Sequence, residues 1–573
     1  MNSPAEPKVQ DTQTKRRVPA YEVLAQDIKN LGVEAVFGLM SDDTALFVTA
    51  LDMAGISFHG ARHENTAITM AEGYAAASGS LGVAVVGRGP ATANGLHAAV
   101  YASRTGSQVL IIYGDAAVPG GALNSLGPDY KAFNAQGVLS AAGLQVFWAS
   151  SARSSRTTLL DAVNAAQLGN AVALLLPTSV QLTEIEEEDS QSDRPILSPA
   201  PPETARPHAV KAAVELLRDH RNPLIIAGIG AYRSGARDAL EGLAEQLGAL
   251  LLTTARGREM FRGHPYNLGI IGSFTHSTAR HYIDQADCVL VFGASLNFWT
   301  TSFGSSIPDV PLIQVDASRT HIGKYYSADV ALVGDARLVA EQLSAALPVR
   351  SEDDKPFHSP LTRKRIADHD LASDFTAAHT ARTVDPRSLG IALDELLPEN
   401  RNLVYDAGNF LGIVPYISVP GPDHFKMTNN FASIGLGFGA ALGFARARRE
   451  AATVLLVGDG GFMMTIGELE TVVREDLPLI IAVINDCAYG AELHFLRIHQ
   501  RPVETSLFPD VDFAPIAEGF AFEAATIRSI DDLQQMAPIL KDPQGPILLD
   551  CKVNADVAGA FMTELAAFES GED

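Results

Sequence analysis

The stretch from Thr453 to Glu492 constrains the fold of this chain more than any other part of the sequence. The apolar runs Thr453–Val457 and Leu479–Ile484 have the composition of buried parallel strands, and apolar side chains recur at helical spacing between them. Gly458-Asp459-Gly460-Gly461 follows the first run as a turn that only small residues allow, with backbone N–H groups available to an anion. The pattern predicts a strand–turn–helix–strand unit of an α/β fold.

An acidic residue follows each of these two strands. Asp459 comes after the first and Asp486 after the second, and the carboxyl ends of strands are where open α/β sheets bind ligands. Mg²⁺ prefers oxygen ligands and commonly binds protein carboxylates together with phosphate oxygens. We therefore predict that Asp459, Asp486 and a main-chain carbonyl near Ala488 hold a diphosphate through a divalent cation. A Gly-Asp-Gly turn alone would indicate an ordinary exposed turn, but the helix and strand between the two acids favour the cation site.

Length and composition indicate a large soluble protein. A chain of 573 residues exceeds one usual core and predicts about two to four domains. The net charge of −24 argues against nucleic acid and anionic membranes as partners. No apolar run is long enough to span a bilayer, and Met1–Arg17 lacks the apolar segment of a signal peptide. Cys288, Cys487 and Cys551 form neither a disulfide framework nor a zinc pattern, which favours a reducing cytoplasm.

Two polar, proline-containing linkers, Thr183–Pro207 and Pro348–Arg387, divide the chain into three blocks. The blocks cover residues 18–182, 205–346 and 383–556, and each is near the usual domain size. Apolar strand-like runs alternate with amphipathic helices in every block. We predict three α/β domains, each a mostly parallel sheet with helices on both faces.

The Gly-Asp-Gly turn and the later Asn485-Asp486 pair resemble the GDG…NN signature of thiamine-diphosphate (ThDP) enzymes, the group of acetolactate synthase, pyruvate decarboxylase, oxalyl-CoA decarboxylase and 2-hydroxyacyl-CoA lyase. The second Asn of the family pair is a metal ligand, and Asp486 stands at that position here. The resemblance covers all three blocks. It implies an N-terminal domain that binds the pyrimidine ring, a Rossmann-like central domain and a C-terminal domain that binds diphosphate and Mg²⁺.

The resemblance assigns further residues to the cofactor. Glu64, which follows His63, matches the family Glu that hydrogen-bonds the pyrimidine ring; an acid at the start of a helix is the alternative. Ile434 matches the apolar residue that bends ThDP into a V shape, and a core isoleucine is the alternative. The other residues that the resemblance places near ThDP are Pro90, Asn94, Gly408, Asn409, Gly458, Gly460, Gly461, Tyr489 and Gly490.

Two acids are catalytic candidates. Glu492 lies where pyruvate decarboxylases carry a catalytic Glu and acetolactate synthases an apolar residue. Asp42 aligns with an acid of pyruvate decarboxylases, and a helix N-cap near Thr44 is the equal alternative. The range 109–136 contains no histidine, which weakens a pyruvate-decarboxylase identity. Phe133 and Asn134 fall where relatives place substrate-facing residues, or else serve packing.

The central block carries Gly228-Ile229-Gly230 after a predicted strand, and Asp316 ends another. The G-x-G alone is weak evidence for a dinucleotide. The resemblance implies ADP, FAD or no ligand in this domain. Against a nucleotide, Leu168 stands where relatives place a nucleotide-contacting Arg.

The sequence favours a lyase that cleaves a short 2-hydroxyacyl-CoA into a carbonyl compound and a short acyl-CoA. Gly293–Phe298 (GASLNF) resembles CoA-using relatives, and Glu492 suits a lyase. Pro509–Phe520 resembles the acetolactate-synthase branch, so a carboligase or decarboxylase of a 2-oxo acid is the alternative. CoA phosphates would need a local basic patch, for which Arg497, His499 and Arg501 are the nearest candidates.

The resemblance also bears on assembly. The family's Glu and its diphosphate site come from different chains, which implies a homodimer or homotetramer. A non-catalytic subunit of the same fold is a third hypothesis, against which both Glu64 and Asp459 are present. The tail Val557–Asp573 either folds over the site or is frayed.

Overall fold

The computed structural model describes residues 16–116, 129–186 and 200–570. By its internal contacts the chain divides into two compact units. The first comprises Met1–Ala75 with Gly79–Ser198, and the second comprises Ala76–Ser78 with Pro199–Asp573. In the described residues no helix has both the length and the apolar character that a membrane span requires.

The first unit contains a six-stranded sheet in the order β3-β2-β4-β5-β7-β6, with every neighbouring pair parallel. Strands β1 and β8 form a separate antiparallel pair. The strands are β1 (Arg17–Pro19), β2 (Ala35–Gly38), β3 (Ser57–Gly60), β4 (Gly82–Val86), β5 (Val109–Asp115), β6 (Gln145–Trp148), β7 (Ala171–Pro177) and β8 (Glu184–Glu186). The helices are α1 (Ala20–Asn30), α2 (Ala45–Met53), α3 (Glu64–Ser78), α4 (Pro90–Thr105), α5 (Ala135–Ala141), α6 (Ala152–Gln167) and α7 (Thr178–Leu182).

The second unit begins with a parallel six-stranded sheet in the order β11-β10-β9-β12-β13-β14. Numbered within this sheet, the strand order is 3-2-1-4-5-6, which is that of a Rossmann fold. The strands are β9 (Pro223–Ala227), β10 (Leu250–Thr253), β11 (Asn267–Ile270), β12 (Cys288–Phe292), β13 (Leu312–Asp316) and β14 (Val330–Val333). The helices are α8 (Pro207–Arg218), α9 (Ile229–Arg233), α10 (Arg237–Leu247), α11 (Ser277–Ile283), α12 (Phe298–Thr301), α13 (Ala336–Ala346) and the linker helix α14 (Pro360–Ala367).

The second unit also holds a third parallel sheet in the order β16-β15-β17-β18-β20-β19, the same topology as the sheet of the first unit. The strands are β15 (Arg401–Tyr405), β16 (Phe425–Met427), β17 (Ala452–Gly458), β18 (Leu479–Asn485), β19 (Glu523–Ile527) and β20 (Ile547–Lys552). The helices are α15 (Pro386–Leu396), α16 (Gly437–Ala447), α17 (Asp459–Thr465), α18 (Leu469–Arg474), α19 (Gly490–Ile498), α20 (Ala514–Glu518), α21 (Ile530–Gln535), α22 (Ala537–Lys541) and α23 (Ala560–Ser570). The predicted α/β fold with three parallel sheets is confirmed.

The strands are apolar throughout because both faces of each sheet are buried. In β9, Ile225 and Ala227 pack into a cluster with helices α8, α10 and α13, whereas Leu224 and Ile226 pack into a cluster with α11 on the other face. A strand buried on both faces reads as a continuous apolar run rather than an alternating one. This is why the predicted runs Thr453–Val457 and Leu479–Ile484 agree with β17 and β18 to within one residue at each end.

The helix predicted between β17 and β18 is broken. The structure has α17, a 3₁₀ turn over Ile466–Glu468, and then α18. Helix α17 begins directly at Asp459, so the predicted metal ligand is the first helical residue and lies at the positive end of the helix dipole.

Arg258 connects the central and C-terminal sheets of the second unit. Its side chain is 2% exposed and donates to the main-chain oxygens of Val414 (2.8 Å) and Ile417 (2.7 Å). Arg262 donates similarly to the oxygen of Val419 (2.9 Å). Buried carbonyl groups need hydrogen-bond partners, so these two arginines stabilise the contact between the two domains.

We expect Arg258→Ala to destabilise the second unit by about 2–5 kcal/mol, because two buried carbonyl groups lose a charged donor. Differential scanning calorimetry would record this as a lower unfolding temperature. Lys211→Ala is the control, since Lys211 is 77% exposed and only pairs with Glu215 along one helix; it should change stability by at most about 0.5 kcal/mol. Equal effects of the two substitutions would contradict the role of Arg258.

Candidate active site

The predicted residues of the C-terminal block meet at the carboxyl ends of β15, β17 and β18. The strand order reverses between β15 and β17, and such a switch point opens a crevice in a parallel sheet. A cavity of about 490 Å³ lies there. Its lining includes Gly408, Asn409, Ile434, Gly458, Asp459, Gly460, Gly461, Asp486, Ala488, Tyr489, Gly490 and Glu492. Every cofactor, metal and proton-transfer residue predicted for this block therefore lines one cavity, whereas the candidates for CoA phosphates, Arg497, His499 and Arg501, do not.

Asp459 and Asp486 are a pair of acids in a poorly solvated place. Burial raises the pKa of Asp459 to about 6. Burial, and next the charge of Asp459, raises the pKa of Asp486 to about 7. The N–H of Gly460 donates to Asp459 (2.9 Å) and that of Ala488 donates to Asp486 (3.2 Å). Two neighbouring carboxylates that water does not stabilise are a donor set suited to a divalent cation.

Two glycines keep the space around these acids open. A Cβ atom on Gly490 would lie 2.3 Å from Oδ2 of Asp486, and one on Gly460 would lie 2.9 Å from the ring of Tyr489. Neither position has room for a side chain. The acids and the small-residue turn thus fit a divalent cation carrying a diphosphate, with the α17 N-terminus facing the anion.

Asn485, the first residue of the Asn-Asp pair, has a structural role. Its amide donates to Asp550 (2.9 Å), and its side-chain oxygen accepts from the N–H of Cys487 (3.2 Å). Cys487 has a positive φ of 56°, an uncommon conformation for a residue with a side chain. The hydrogen bonds of Asn485 hold this turn, and the turn presents Asp486 to the cavity.

Asp406 is a buried acid that the sequence analysis did not single out. It follows β15 as Asp459 follows β17, so the same signal could have found it. Its carboxylate accepts from the N–H groups of Gly435 (2.7 Å) and Gly437 (3.1 Å) and from the hydroxyl of Thr428 (3.0 Å). Burial raises the pKa of Asp406, and the N–H donors act in the opposite direction. The carboxylate fixes the loop that carries Ile434.

In the first unit, Glu64 is the first residue of α3 and only 9% exposed. Its carboxylate accepts from the amide of Asn94 (3.1 Å), so these two predicted cofactor residues are in contact. Pro90 is the first residue of α4, the helix that carries Asn94. The cofactor role of these residues stays a prediction.

Asp42 does not cap helix α2, since Thr44 is the N-cap residue. Instead the exposed carboxylate of Asp42 pairs with Lys131, and this hydrogen bond lowers the pKa of Asp42. Lys131 also pairs with the neighbouring, buried Asp43 (3.1 Å). An acid with a lowered pKa is ionised at neutral pH and is a poor proton donor, so a catalytic Asp42 would act through its charge.

The substrate candidates Phe133 and Asn134 lie just before α5. Asn134 caps this helix, because its side-chain oxygen accepts from the N–H of Gly137 (2.9 Å). The Phe133 ring is 39% exposed. Residues 117–128, part of the histidine-free stretch, lie outside the described residues.

In the central domain, backbone atoms fill the space beside the turn Gly228-Ile229-Gly230. Gly230 donates its N–H to the oxygen of Gly293 (3.1 Å), and a Cβ atom on Gly228 would lie 2.2 Å from that oxygen. Asp316 accepts from the N–H of Ser318 (2.8 Å) and pairs with His321 (3.1 Å). The glycines thus serve close packing between two turns, and a nucleotide in this domain stays a prediction.

Three aromatic residues of the cavity wall, Trp299, Phe410 and Phe561, were not predicted. Trp299 comes from α12 of the central domain and Phe561 from the C-terminal helix α23. Their rings meet edge to face with centroids 5.3 Å apart. The described part of the tail therefore packs against the cavity and is not frayed.

This arrangement of two acids and a glycine turn fits the class of enzymes that bind a diphosphate cofactor through a divalent cation. Sequence profiles of the thiamine pyrophosphate enzyme family match residues 19–131 (N-terminal TPP binding domain), 210–343 (central domain) and 406–551 (C-terminal TPP binding domain). The chain belongs to this family of ThDP-dependent enzymes.

Three relatives illustrate the range of reactions in the family. The chain is 27% identical over 549 residues to a "probable acetolactate synthase large subunit" of Methanocaldococcus jannaschii, covering 93% of this chain and 91% of the relative. It is 24% identical to mouse 2-hydroxyacyl-CoA lyase 1, with 94% and 95% covered. It is 27% identical to a "probable 2-ketoarginine decarboxylase" of Pseudomonas aeruginosa, with 93% and 94% covered.

A solved structure shows the same fold. The crystal structure of a candidate thiamin diphosphate-dependent enzyme from Mycobacterium smegmatis aligns with a TM-score of 0.75 and 21% identity. The alignment covers 94% of this chain and 99% of that structure.

The raised pKa values of Asp459 and Asp486 predict a pH dependence of the metal-free protein. Folding raises both values above the unfolded value near 4, so the folded state binds more protons between about pH 4 and 7. The stability from these carboxyls is fully present below about pH 4 and is lost as pH rises through 6 and 7. We expect the unfolding temperature of wild type to fall more between pH 5 and 8 than that of Asp486→Asn. Thermal unfolding followed by circular dichroism measures this, with Asp542→Asn on the surface as the control; identical pH profiles for wild type and Asp486→Asn would contradict it.

We expect Asp406→Asn to weaken ThDP binding or activity by about 10–100-fold. The NH₂ group of the new side chain would face the N–H donors of Gly435 and Gly437, so the loop that carries Ile434 would no longer be held. Thr428→Val removes one hydrogen bond and leaves the carboxylate, so its effect should be smaller. Titration of ThDP monitored by protein fluorescence, with far-ultraviolet circular dichroism as a check of folding, separates the two. Wild-type affinity and turnover in folded Asp406→Asn would show that the carboxylate does not position the loop.

Proposed function

We propose that this protein uses ThDP and Mg²⁺ to cleave a carbon–carbon bond next to a carbonyl group, and that Glu492 is the acid or base that transfers a proton to or from the substrate during this cleavage. The observation that carries the proposal is the place of Glu492. It lies in the first turn of α19, only a few residues beyond Asp486, and lines the same cavity as both metal-ligand candidates. A carboligase of the acetolactate type needs no acid at this position.

The residues of the cavity divide the work. Asp459 and Asp486 hold the cation and, with the amides of the glycine turn, the diphosphate. Ile434 would lie against the cofactor, and Glu64, which belongs to the first unit and does not line this cavity, would hold the pyrimidine ring. When bound, ThDP supplies an electron sink for the carbonyl carbon. Glu492 gives a proton to the carbon that loses its bond, or takes one from a substrate hydroxyl.

The charges near the cavity favour a 2-oxo acid as substrate. Three basic residues could have bound CoA phosphates. Arg497 pairs with Asp556 (2.8 Å) and His499 with Glu569 (3.4 Å), and neither these two nor Arg501 lines the cavity. None of the described residues that line the cavity is Lys, Arg or His. A substrate carboxylate facing apolar walls is poorly solvated, which favours its loss as neutral CO₂. The proposed reaction is decarboxylation of a 2-oxo acid, which consumes one proton and releases an aldehyde and CO₂.

Two other reactions are the alternatives. Cleavage of a 2-hydroxyacyl-CoA, which the sequence favours, is supported by the relative of that name in mouse. An acetolactate-type carboligase is supported by the relative in M. jannaschii. Turnover of a panel of 2-oxo acids and 2-hydroxyacyl-CoA esters, each with ThDP and Mg²⁺, distinguishes the three. Mg²⁺ as the cation, a homodimer or homotetramer and a cytoplasmic location stay predictions.

We expect Glu492→Gln to lower turnover by about 10²–10⁴-fold, the usual contribution of a positioned acid or base. ThDP affinity should stay near wild type, because Asp459 and the glycine turn are unchanged, and the pH profile should lose one limb. Steady-state kinetics over pH 5–9 with the best substrate of the panel measure both effects. Glu523→Gln on the edge strand β19 is the matched control. Full turnover in Glu492→Gln would reject the cleavage proposal and favour the carboligase.

A further inference from the structure

Part of the cavity wall is aromatic. Trp299 and Phe561 line the cavity together with Ile434 and Glu492. Phe561 is 5% exposed, whereas Trp299 is 41% exposed, so part of the indole is uncovered. The two rings come from different domains of the second unit, and their edge-to-face contact, at an angle of 73°, holds them together.

The charges of the cavity point to the kind of group that fits against this wall. The acids among the lining residues are Asp459, Asp486 and Glu492, and the described lining contains no Lys, Arg or His. With Asp459 and Asp486 engaged by the cation, Glu492 is the remaining charge. An anionic group on the substrate side chain that packed against the two rings would lose its hydration.

We propose that Trp299 and Phe561 form the wall that receives the side chain of the substrate, so that the enzyme selects 2-oxo acids with apolar side chains and rejects dicarboxylic ones. This inference rests on the proposed function, since it names the substrate class of that same cavity. Apolar side chains gain from burial against the two rings in proportion to the area they cover. The wall is formed by contact between α12 and α23, so both domains contribute to specificity.

The same aromatic cluster provides a matched control. Phe568 lies on α23 with Phe561, and its ring packs on Phe298 (6.0 Å) and Phe303 (5.7 Å). Phe568 is 56% exposed and does not belong to the cavity lining. Phe568→Ala removes a ring from the same helix and cluster while leaving the cavity wall in place.

The first test is kinetic. We would measure kcat/KM for pyruvate, a branched-chain 2-oxo acid, phenylpyruvate and 2-oxoglutarate with the ThDP- and Mg²⁺-loaded protein. Wild type should prefer the larger apolar substrates and reject 2-oxoglutarate. Trp299→Ala and Phe561→Ala should each lower the preference for phenylpyruvate over pyruvate by about 10–200-fold, the usual range for a pocket contact, while Phe568→Ala keeps the wild-type ratio.

The second test needs no turnover. The chain has two tryptophans, so Trp148→Phe leaves Trp299 as the sole indole. The unreactive 3-phenylpropionate should change the emission of Trp299 in a saturable way in the loaded protein, whereas glutarate should not. Phe561→Ala in this background should weaken the response, and Phe568→Ala should leave it unchanged.

The outcomes separate the inference from the proposed function. Turnover of 2-oxo acids with a substrate ratio unaltered in folded Trp299→Ala and Phe561→Ala overturns the inference and leaves the function standing. A response of Trp299 to 3-phenylpropionate alone, without turnover of any 2-oxo acid, supports the wall and rejects the function. If the alanine variants do not fold, the single-tryptophan protein decides, and an equal response to glutarate, or none to either compound, overturns the inference.

Discussion

The candidate site of the C-terminal domain depends on two acids that burial keeps poorly solvated. Asp459 and Asp486 end neighbouring parallel strands, and the register of β17 with β18 places them on one edge of the sheet. Burial disfavours both charges and raises both pKa values, and the charge of Asp459 raises the pKa of Asp486 further. The metal-free protein relieves this by binding protons, and under the proposed function a divalent cation would relieve it by binding both carboxylates. The free energy that folding stores in this pair is thus recovered when the cation and the diphosphate bind.

Neighbouring residues hold the pair Asp459 and Asp486 in position. Asn485 and the strained turn at Cys487 orient Asp486, and Gly490 leaves room for its oxygen. Asp406 has a related position at the end of β15, but its carboxylate is satisfied by backbone N–H groups and needs no cation. Asp406, Asp459 and Asp486 follow three adjacent strands. Several N–H groups donate to Asp406, which holds a loop, whereas Asp459 and Asp486 are the acids proposed to bind the cation.

The sequence predicted the parallel sheets and the two acids Asp459 and Asp486 because both signals are local, whereas the other cavity residues of the C-terminal block were implied by the family resemblance. Strands buried on both faces are continuous apolar runs, and Asp459 and Asp486 directly follow such runs. The role of Asp406 could not be predicted, since its partners lie about thirty residues further along the chain. The Trp299–Phe561 wall joins two domains, and the pairing of Asp42 with Lys131 joins a strand end to a distant loop. No local pattern encodes contacts of that kind.

The central claim is that the Asp459–Asp486 pair is the cation site for the cofactor diphosphate. Isothermal titration of ThDP with Mg²⁺ into the metal-free protein at pH 6.5, in buffers of different ionisation enthalpy, tests it most directly. The pKa values of about 6 and about 7 predict release of on the order of one proton per chain on binding, and little release above pH 8. Binding of ThDP that releases no protons at pH 6.5, or that is equally tight without a divalent cation, would contradict the account.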